Sequence, residues 1–343
     1  MAKNSSNRAT RADVAREAGT SVAVVSYVIN KGPRPVAEAT RLRVLEAVKK
    51  TGYRPNSVAR ALASGTSKTY GLVVPNISNA FIASFAHALQ QEASRSGMIM
   101  LLGDAGDSRK RELELINNLL SQQVDGLFYN SVDRHPYIDV IQASGTPLVM
   151  LDRVDPALNV NILRVDEREA AYQVTAHLLS HGYQQVGIIC GPLEMFNTQD
   201  RLSGWRQALA DFGVQEHAEW IFSTTYTREG GYQAAKRMLQ AGNIPRAIFA
   251  TNETQAIGCI RALAEQGIKV PEQVALVCFN GTDQSAFHVP SLTTVRQPVE
   301  EMARKAIEML SAREGEAQLS EFAHQLQIGE SCGCAFVASN AGE

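Results

Sequence analysis

At 343 residues, with 45% hydrophobic and 20% charged residues, the chain is long enough for two or three domains and a sizeable buried core. No apolar run approaches the roughly 20 residues of a membrane helix, and the first eight residues lack the apolar stretch of a secretory leader, so a cytoplasmic protein is expected. Five scattered cysteines, an odd number, fit that compartment better than a disulfide framework does.

The net charge of −2 conceals a division. Residues 1–68 hold 13 Lys+Arg against four acids, Asp13, Glu17, Glu38 and Glu46, a balance of +9; the remainder carries −11. A small basic module built for a polyanion, joined to an acidic body with another task, is the simplest reading.

In chain order, Thr10-Arg11-Ala12-Asp13 reads as a capping box opening a short helix whose apolar face is Val14, Ala15 and Ala18. Gly19 ends it, because the turn favours positive φ. Ser21 caps a second helix with the stripe Val25, Val28 and Ile29, leaving Val22, Ala23, Ser26 and Tyr27 outward. Two short helices about a Gly-containing turn make a helix-turn-helix, whose second helix enters the major groove of DNA. Past the loop at 32–35, Val44, Ala47 and Val48 mark a third amphipathic helix.

From residue 69 the pattern changes. Apolar runs at 70–74, 98–102, 126–129 and 148–151 read as buried strands, alternating with helices over 81–96, 109–122 and 137–144. The alternation resumes with strands at 186–190, 247–250 and 274–279 and helices over 199–212, 228–240 and 253–266. Two successive α/β sets imply two parallel-sheet subdomains covered on both faces, and ligands of such sheets bind beyond the carboxyl ends of the strands.

The residues of the head go further than the pattern. Asp13-Val14-Ala15-Arg16-Glu17-Ala18-Gly19, Ser21, Val25-Ser26 with Val28-Ile29-Asn30, Thr40-Arg41 with Val44-Leu45, and Gly52-Tyr53-Arg54-Pro55-Asn56 with Ala59-Arg60 resemble the DNA-binding head of the LacI/GalR family of bacterial repressors. The resemblance continues to about residue 330. It implies an all-α helix-turn-helix head (1–55), a hinge helix and linker (56–68), and an α/β body (69–343) like a periplasmic binding protein, with two Rossmann-like subdomains. The expected function is a cytoplasmic, dimeric repressor of a palindromic operator, controlled by a small-molecule effector such as a sugar. Whether it represses or activates depends on where the operator lies relative to a promoter.

By the same resemblance, DNA contacts fall to Arg11, Ser21, Val22, Ala23, Ser26, Tyr27, Asn30, Thr40, Tyr53, Asn56, Ala59 and Leu62. Leu62 is placed as a wedge in the minor groove, where unstacking a base step is offset by added contact. A hinge helix over 56–64 is too short to be stable alone, which suits a switch. The head also departs from its family. Tyr27 stands for a usual Arg, and Val22 and Ala23 cannot make the bidentate bonds of Arg or Gln to bases, so readout leans on thymine methyls, Tyr27 and the hinge. Ala37 replaces a usual Ser/Thr cap.

Effector contacts are expected from Phe81, Asp152, Arg201, Tyr226, Asn252 and Asn280, mostly from loops that follow strands. A planar Arg fork, a carboxylate and amides suit neighbouring hydroxyls or a carboxylate. Asn280-Gly281 in place of an acidic pair, and Ala80 and Ile82 after Asn79, depart from the usual sugar-binding pattern.

Two rival classes fare worse. An enzyme would be signalled by a phosphate loop, a Gly-x-Gly-x-x-Gly turn or a metal-spaced His pair, and none is read here. His87 and His181 read as structural or exposed, and Cys332-Gly333-Cys334 as two reduced thiols, short of the four ligands zinc requires. No metal or cofactor is therefore expected. A transport receptor matches the body, but not the basic head.

Overall fold

A computed structural model describes residues 9–30, 32, 34–55, 65–151, 158–242, 244–312 and 317–334. Asn56, Ala59, Leu62 and Asp152, singled out above, lie outside the described residues. The chain forms two compact units, Met1–Ser67 and Lys68–Glu343.

In the first unit, α1 (Arg11–Ala18) opens with the capping box: Asp13 N–H donates to Thr10 Oγ1, and Thr10 N–H donates to Asp13 Oδ2 at 2.9 Å. Gly19 closes it at φ 59°, a left-handed conformation that costs other residues dearly. Helix α2 (Val22–Asn30) starts after Ser21, whose Oγ accepts from Val24 N–H. Helix α3 (Glu38–Thr51) completes a small core of Val14, Ala15, Ala18, Val25, Val44, Ala47 and Tyr53, with Val28, Ile29 and Val48 at its edge. Ala37 sits at the N-cap of α3 and offers no side-chain acceptor. Ala37→Ser supplies one and should stabilise the head by about 1 kcal/mol. In differential scanning of the full chain, the head's transition then moves up while that of the body stays; an unmoved head would mean that its first turn is already satisfied.

The second unit contains two sheets. In the first, β1 (Thr69–Val74), β2 (Ile99–Asp104), β3 (Gly126–Tyr129), β4 (Leu148–Met150), β5 (Asn161–Val165) and β11 (Leu319–Phe322) pair in parallel in the order β11-β5-β4-β3-β1-β2. Helices α4 (Ala80–Arg95), α5 (Arg109–Ser121) and α6 (Ile138–Ala143) connect its strands. In the second, β6 (Val186–Cys190), β7 (Ile221–Ser223), β8 (Ala247–Ala250), β9 (Ala275–Phe279), β10 (Thr293–Arg296) and β12 (Gln325–Gln327) lie in the order β12-β10-β9-β8-β6-β7, with only β12 antiparallel. Helices α8 (Phe196–Asp211), α9 (Arg228–Gln240) and α10 (Glu253–Glu265) connect these strands. The central strands are wholly buried, as sheets covered on both faces require.

The chain crosses between the sheets three times among the described residues. After β5 it enters α7 (Glu167–Ser180), which packs on α8 and on β8–β10. After β10 it returns through α11 (Val299–Ser311), which packs on α4 and on β3–β5. The last crossing joins β11 to β12. The sequence reading holds the two α/β sets but not these crossings.

Candidate functional site: an effector cleft and a DNA-reading helix

Both sheets reverse their winding beside their first strand. From β1 the chain runs outward to β2 and then to β3 on the other side; from β6 it runs to β7 and then to β8. The loops leaving β1 and β3 therefore diverge, as do those leaving β6 and β8, and each divergence opens a crevice at the carboxyl ends. A cavity of about 400 Å³ lies at both crevices, lined from the first sheet by Asn76, Asn79, Phe81, Asn130 and Asp133. From the second it takes Pro192, Asn197, Arg201, Tyr226, Asn252, Thr254 and Asn280, from strand β5 of the first Arg164, and from the crossings Glu167 and Gln297. That volume is within the usual range for small-ligand pockets.

Arg201 lies on the inner face of α8, 3% exposed, inside the helix expected over 199–212 and not on a strand-end loop. Its Nε and Nη2 both donate to the Glu167 carboxylate, and Nη1 donates to the Thr251 carbonyl at 2.5 Å. The guanidinium also lies over the Phe279 ring, 4.1 Å from its centroid. Glu167 begins α7 at the first crossing, so this pair ties that crossing to α8 and to the end of β8. The pair was missed because the sequence reading assigned no element between residues 152 and 185, although Asp166, whose side chain accepts from Arg168 and Glu169 N–H, marks the start of α7.

Asn252 is both a helix cap and a wall of the cavity. Its Oδ1 accepts from Gln255 N–H at 2.7 Å and from Thr254 Oγ1, while Nδ2 donates to the Tyr226 carbonyl at 3.3 Å. The Tyr226 hydroxyl donates to Asn197 Oδ1 at 3.1 Å and accepts from Thr198 Oγ1 at 2.6 Å. Its ring rests against Gly191, where any Cβ would overlap it, so glycine after β6 is what lets the ring seat. Asn280 takes φ 60°, a conformation that Asn tolerates better than most residues, and its Oδ1 accepts from Gln297 Nε2 at 2.5 Å. Glu253, beside Asn252, turns away from the cavity: its carboxylate accepts from Thr282 Oγ1 and Ser285 Oγ and holds the turn after β9.

On the opposite wall, Phe81 opens α4 behind the Asn79 cap and stacks on Phe85 with ring centroids 6.4 Å apart. The loop after β3 is fixed from behind by fully buried Glu112, which accepts from Val132 N–H at 2.7 Å, from Ser131 Oγ and from Arg109. Amides, four carboxylates (Asp107, Asp133, Glu167 and Glu194) and the Phe81 and Tyr226 rings around one cavity can grip a small ligand bearing several hydroxyls. Burial pushes the Cys190 thiol up to about 11 and Cys259 to about 12, which marks both as core fillers, not nucleophiles.

In the head, Ser21, Val22, Ala23 and Asn30 are exposed along α2, and Ser26, half-buried, accepts from Asn30 Nδ2. The Tyr27 ring packs over Gly32, so part of it is withheld from solvent. Tyr53 is buried in the head core and its hydroxyl accepts from Arg11 Nε at 3.2 Å, which joins two of the expected DNA contacts to each other. Thr40 lies in the first turn of α3.

Residues 10–56 match bacterial regulatory proteins of the lacI family, and residues 67–326 match the periplasmic binding proteins and sugar binding domain of LacI family. Catabolite control protein A of Priestia megaterium is 32% identical over 301 residues, covering 87% of this chain and 90% of its own. The transcriptional regulator GalR of Escherichia coli (strain K12) is 33% identical, with 89% of each covered. Among solved structures, the lac repressor dimer bound to operator and the anti-inducer ONPF aligns with TM-score 0.82 and 26% identity, over 95% of this chain and 99% of that one. A complex of the transcriptional regulator CelR with cellobiose aligns at 0.72 and 28%, over 94% and 100%. This chain belongs to the LacI/GalR family of bacterial transcription regulators, whose DNA-binding head is governed by a small molecule held in the body.

Proposed function

We propose that the protein is a homodimeric repressor of a near-palindromic operator, and that a sugar or similarly polyhydroxylated molecule in the cavity sets its affinity for DNA. The observation that carries this reading is that the cavity is lined from both sheets at once, by Phe81 on one side and by Arg201, Tyr226, Asn252 and Asn280 on the other. A ligand touching both walls favours their closed arrangement, and it shifts DNA affinity only by its differential affinity for the two arrangements. Asp152, outside the described residues, is assigned to the same ligand by family resemblance. The exposed face of α2, with Ser21, Val22, Ala23 and Asn30, is assigned to the major groove. Thr40, Arg11 and the Asn56, Ala59 and Leu62 segment are assigned to the backbone and minor groove. A family of regulatory proteins makes catalysis an unnecessary supposition here.

A thermal-shift survey of sugars, sugar phosphates and nucleobases with the full chain tests the effector class. At about a hundred times Kd a ligand adds about 2.7 kcal/mol to stability, a rise of several degrees for a body of this size. Phe81→Ala removes the apolar platform and should abolish that rise, while the unliganded protein melts within a degree or two of wild type. A rise with nucleobases and none with sugars would overturn the polyhydroxyl reading.

A further inference from the structure

The sequence reading found two thiols and no metal-spaced histidines. The fold corrects it. His177 lies in the last turn of α7 and His181 caps that helix, four residues on and therefore on the same face. Cys332 and Cys334 sit in the turn after β12, which is held against the second sheet: Ser331 Oγ donates to the Leu276 carbonyl at 2.6 Å and accepts from Thr293 N–H at 2.9 Å. One ligand atom from each of the four residues falls within 4.8 Å of the others.

Three of the six edges of that group, all from Cys334 Sγ, are close to those of a coordination shell. Cys334 Sγ is 3.5 Å from Nε2 of His177, 3.5 Å from Nε2 of His181 and 3.3 Å from Cys332 Sγ. A tetrahedral Zn²⁺ with Zn–N of about 2.0–2.1 Å and Zn–S of about 2.3 Å requires S···N edges of about 3.6 Å and an S···S edge of about 3.8 Å. The two S···N edges already match, and the S···S edge needs to open only slightly. The tautomer is set as well. His181 Nδ1 lies 3.1 Å from the Cys332 carbonyl oxygen, so Nδ1 carries the proton and the Nε2 lone pair is left for the cluster. A backbone carbonyl behind a ligating imidazole is the usual outer partner of a metal-bound histidine.

We propose that His177, His181, Cys332 and Cys334 bind one Zn²⁺ as a closed tetrahedral site. Four protein ligands leave no open position, so the ion is structural and not catalytic. It joins the segment after β12 to the end of α7, the helix whose first residue, Glu167, holds Arg201 at the cavity. The rival arrangement is a reduced Cys334 that donates S–H to Nε2 of His181 and accepts from Nε2 of His177; it holds no metal, and a zinc titration separates the two.

The test uses the full chain, purified under reductant, stripped of metal and titrated with Zn²⁺ or, in parallel, Co²⁺. The expected result is one equivalent of Zn²⁺ per chain, displaced protons from the thiols, and a higher melting temperature with Zn²⁺ than without. Co²⁺ should give the intense visible bands of a tetrahedral ion together with a thiolate-to-cobalt charge-transfer band. Cys334→Ser and His177→Gln, both at partly exposed positions, should each lose these spectra and the zinc-dependent rise while keeping the circular dichroism of wild type. A fully reduced wild-type chain that takes up no Zn²⁺ would overturn the proposal. So would a weak octahedral Co²⁺ spectrum, undiminished metal uptake by Cys334→Ser, or a Cys332–Cys334 disulfide in place of zinc in protein isolated without reductant.

Discussion

Arg201→Ala is expected to destabilise the body by about 3–5 kcal/mol, the range for removing one partner of a buried ion pair, and to abolish the response of operator binding to effector. The size follows from burial: Arg201 is 3% exposed and Glu167 only 11%, so solvent cannot take over the interaction. Truncation strips the Glu167 carboxylate of its bidentate guanidinium and the Thr251 carbonyl of its donor, and it opens a cavity beside Phe279. Arg201→Lys keeps the charge but not the fork, and should lose less stability while losing most of the effector response. Urea melts give the first quantity and operator titrations the second. An unchanged melt would show that the pair contributes little, and an unchanged response at the same effector concentration would place Arg201 outside the ligand's reach.

The second large effect concerns the head. Residues 1–68 alone should bind operator about 10²–10⁴-fold more weakly than the full chain, because the body supplies the link that makes the second head's binding intramolecular. Affinity of the full chain should fall steeply with salt, with a slope near −0.9 per phosphate neutralised, as expected of a head carrying +9. Leu62→Ala in the full chain separates wedge from fold: specific affinity should drop by a few kcal/mol while non-specific binding holds. Equal binding by the isolated head and the whole chain would contradict the dimeric arrangement, and a parallel loss of both kinds of binding in Leu62→Ala would make that residue a support of the fold.

Legibility in the sequence followed how local each signal is. The capping box at Thr10 and the turn at Gly19 were readable because their partners lie within four residues. Asn252 and Asn280 were readable because each follows an uninterrupted apolar run that ends a buried strand. Arg201 was chosen from its motif and its helix was legible, but its partner Glu167, 34 residues away, depends on a crossing that no periodicity announces. Strand β11, Leu319–Phe322, is half-exposed at a sheet edge and alternates too briefly to stand out. Helix α11 was legible and overlooked: Met302, Ala303, Ala306, Ile307 and Leu310 make a full apolar stripe. The halves of the zinc group, His177-x-x-x-His181 and Cys332-x-Cys334, were legible and overlooked, but their meeting joins residues 151 to 157 positions apart and depends on the fold.

The central claim, that a molecule in the cleft governs DNA binding at the head, is tested most directly by one titration. Operator recovered from a random duplex pool by the full chain is titrated at fixed salt, with and without a saturating amount of whichever ligand raises the melting temperature. The account predicts a twofold-symmetric site and an affinity changed by about 5–150-fold, with operator changing the ligand's affinity by the same factor. Superimposable titration curves in the presence and absence of a ligand that demonstrably occupies the cleft would contradict it.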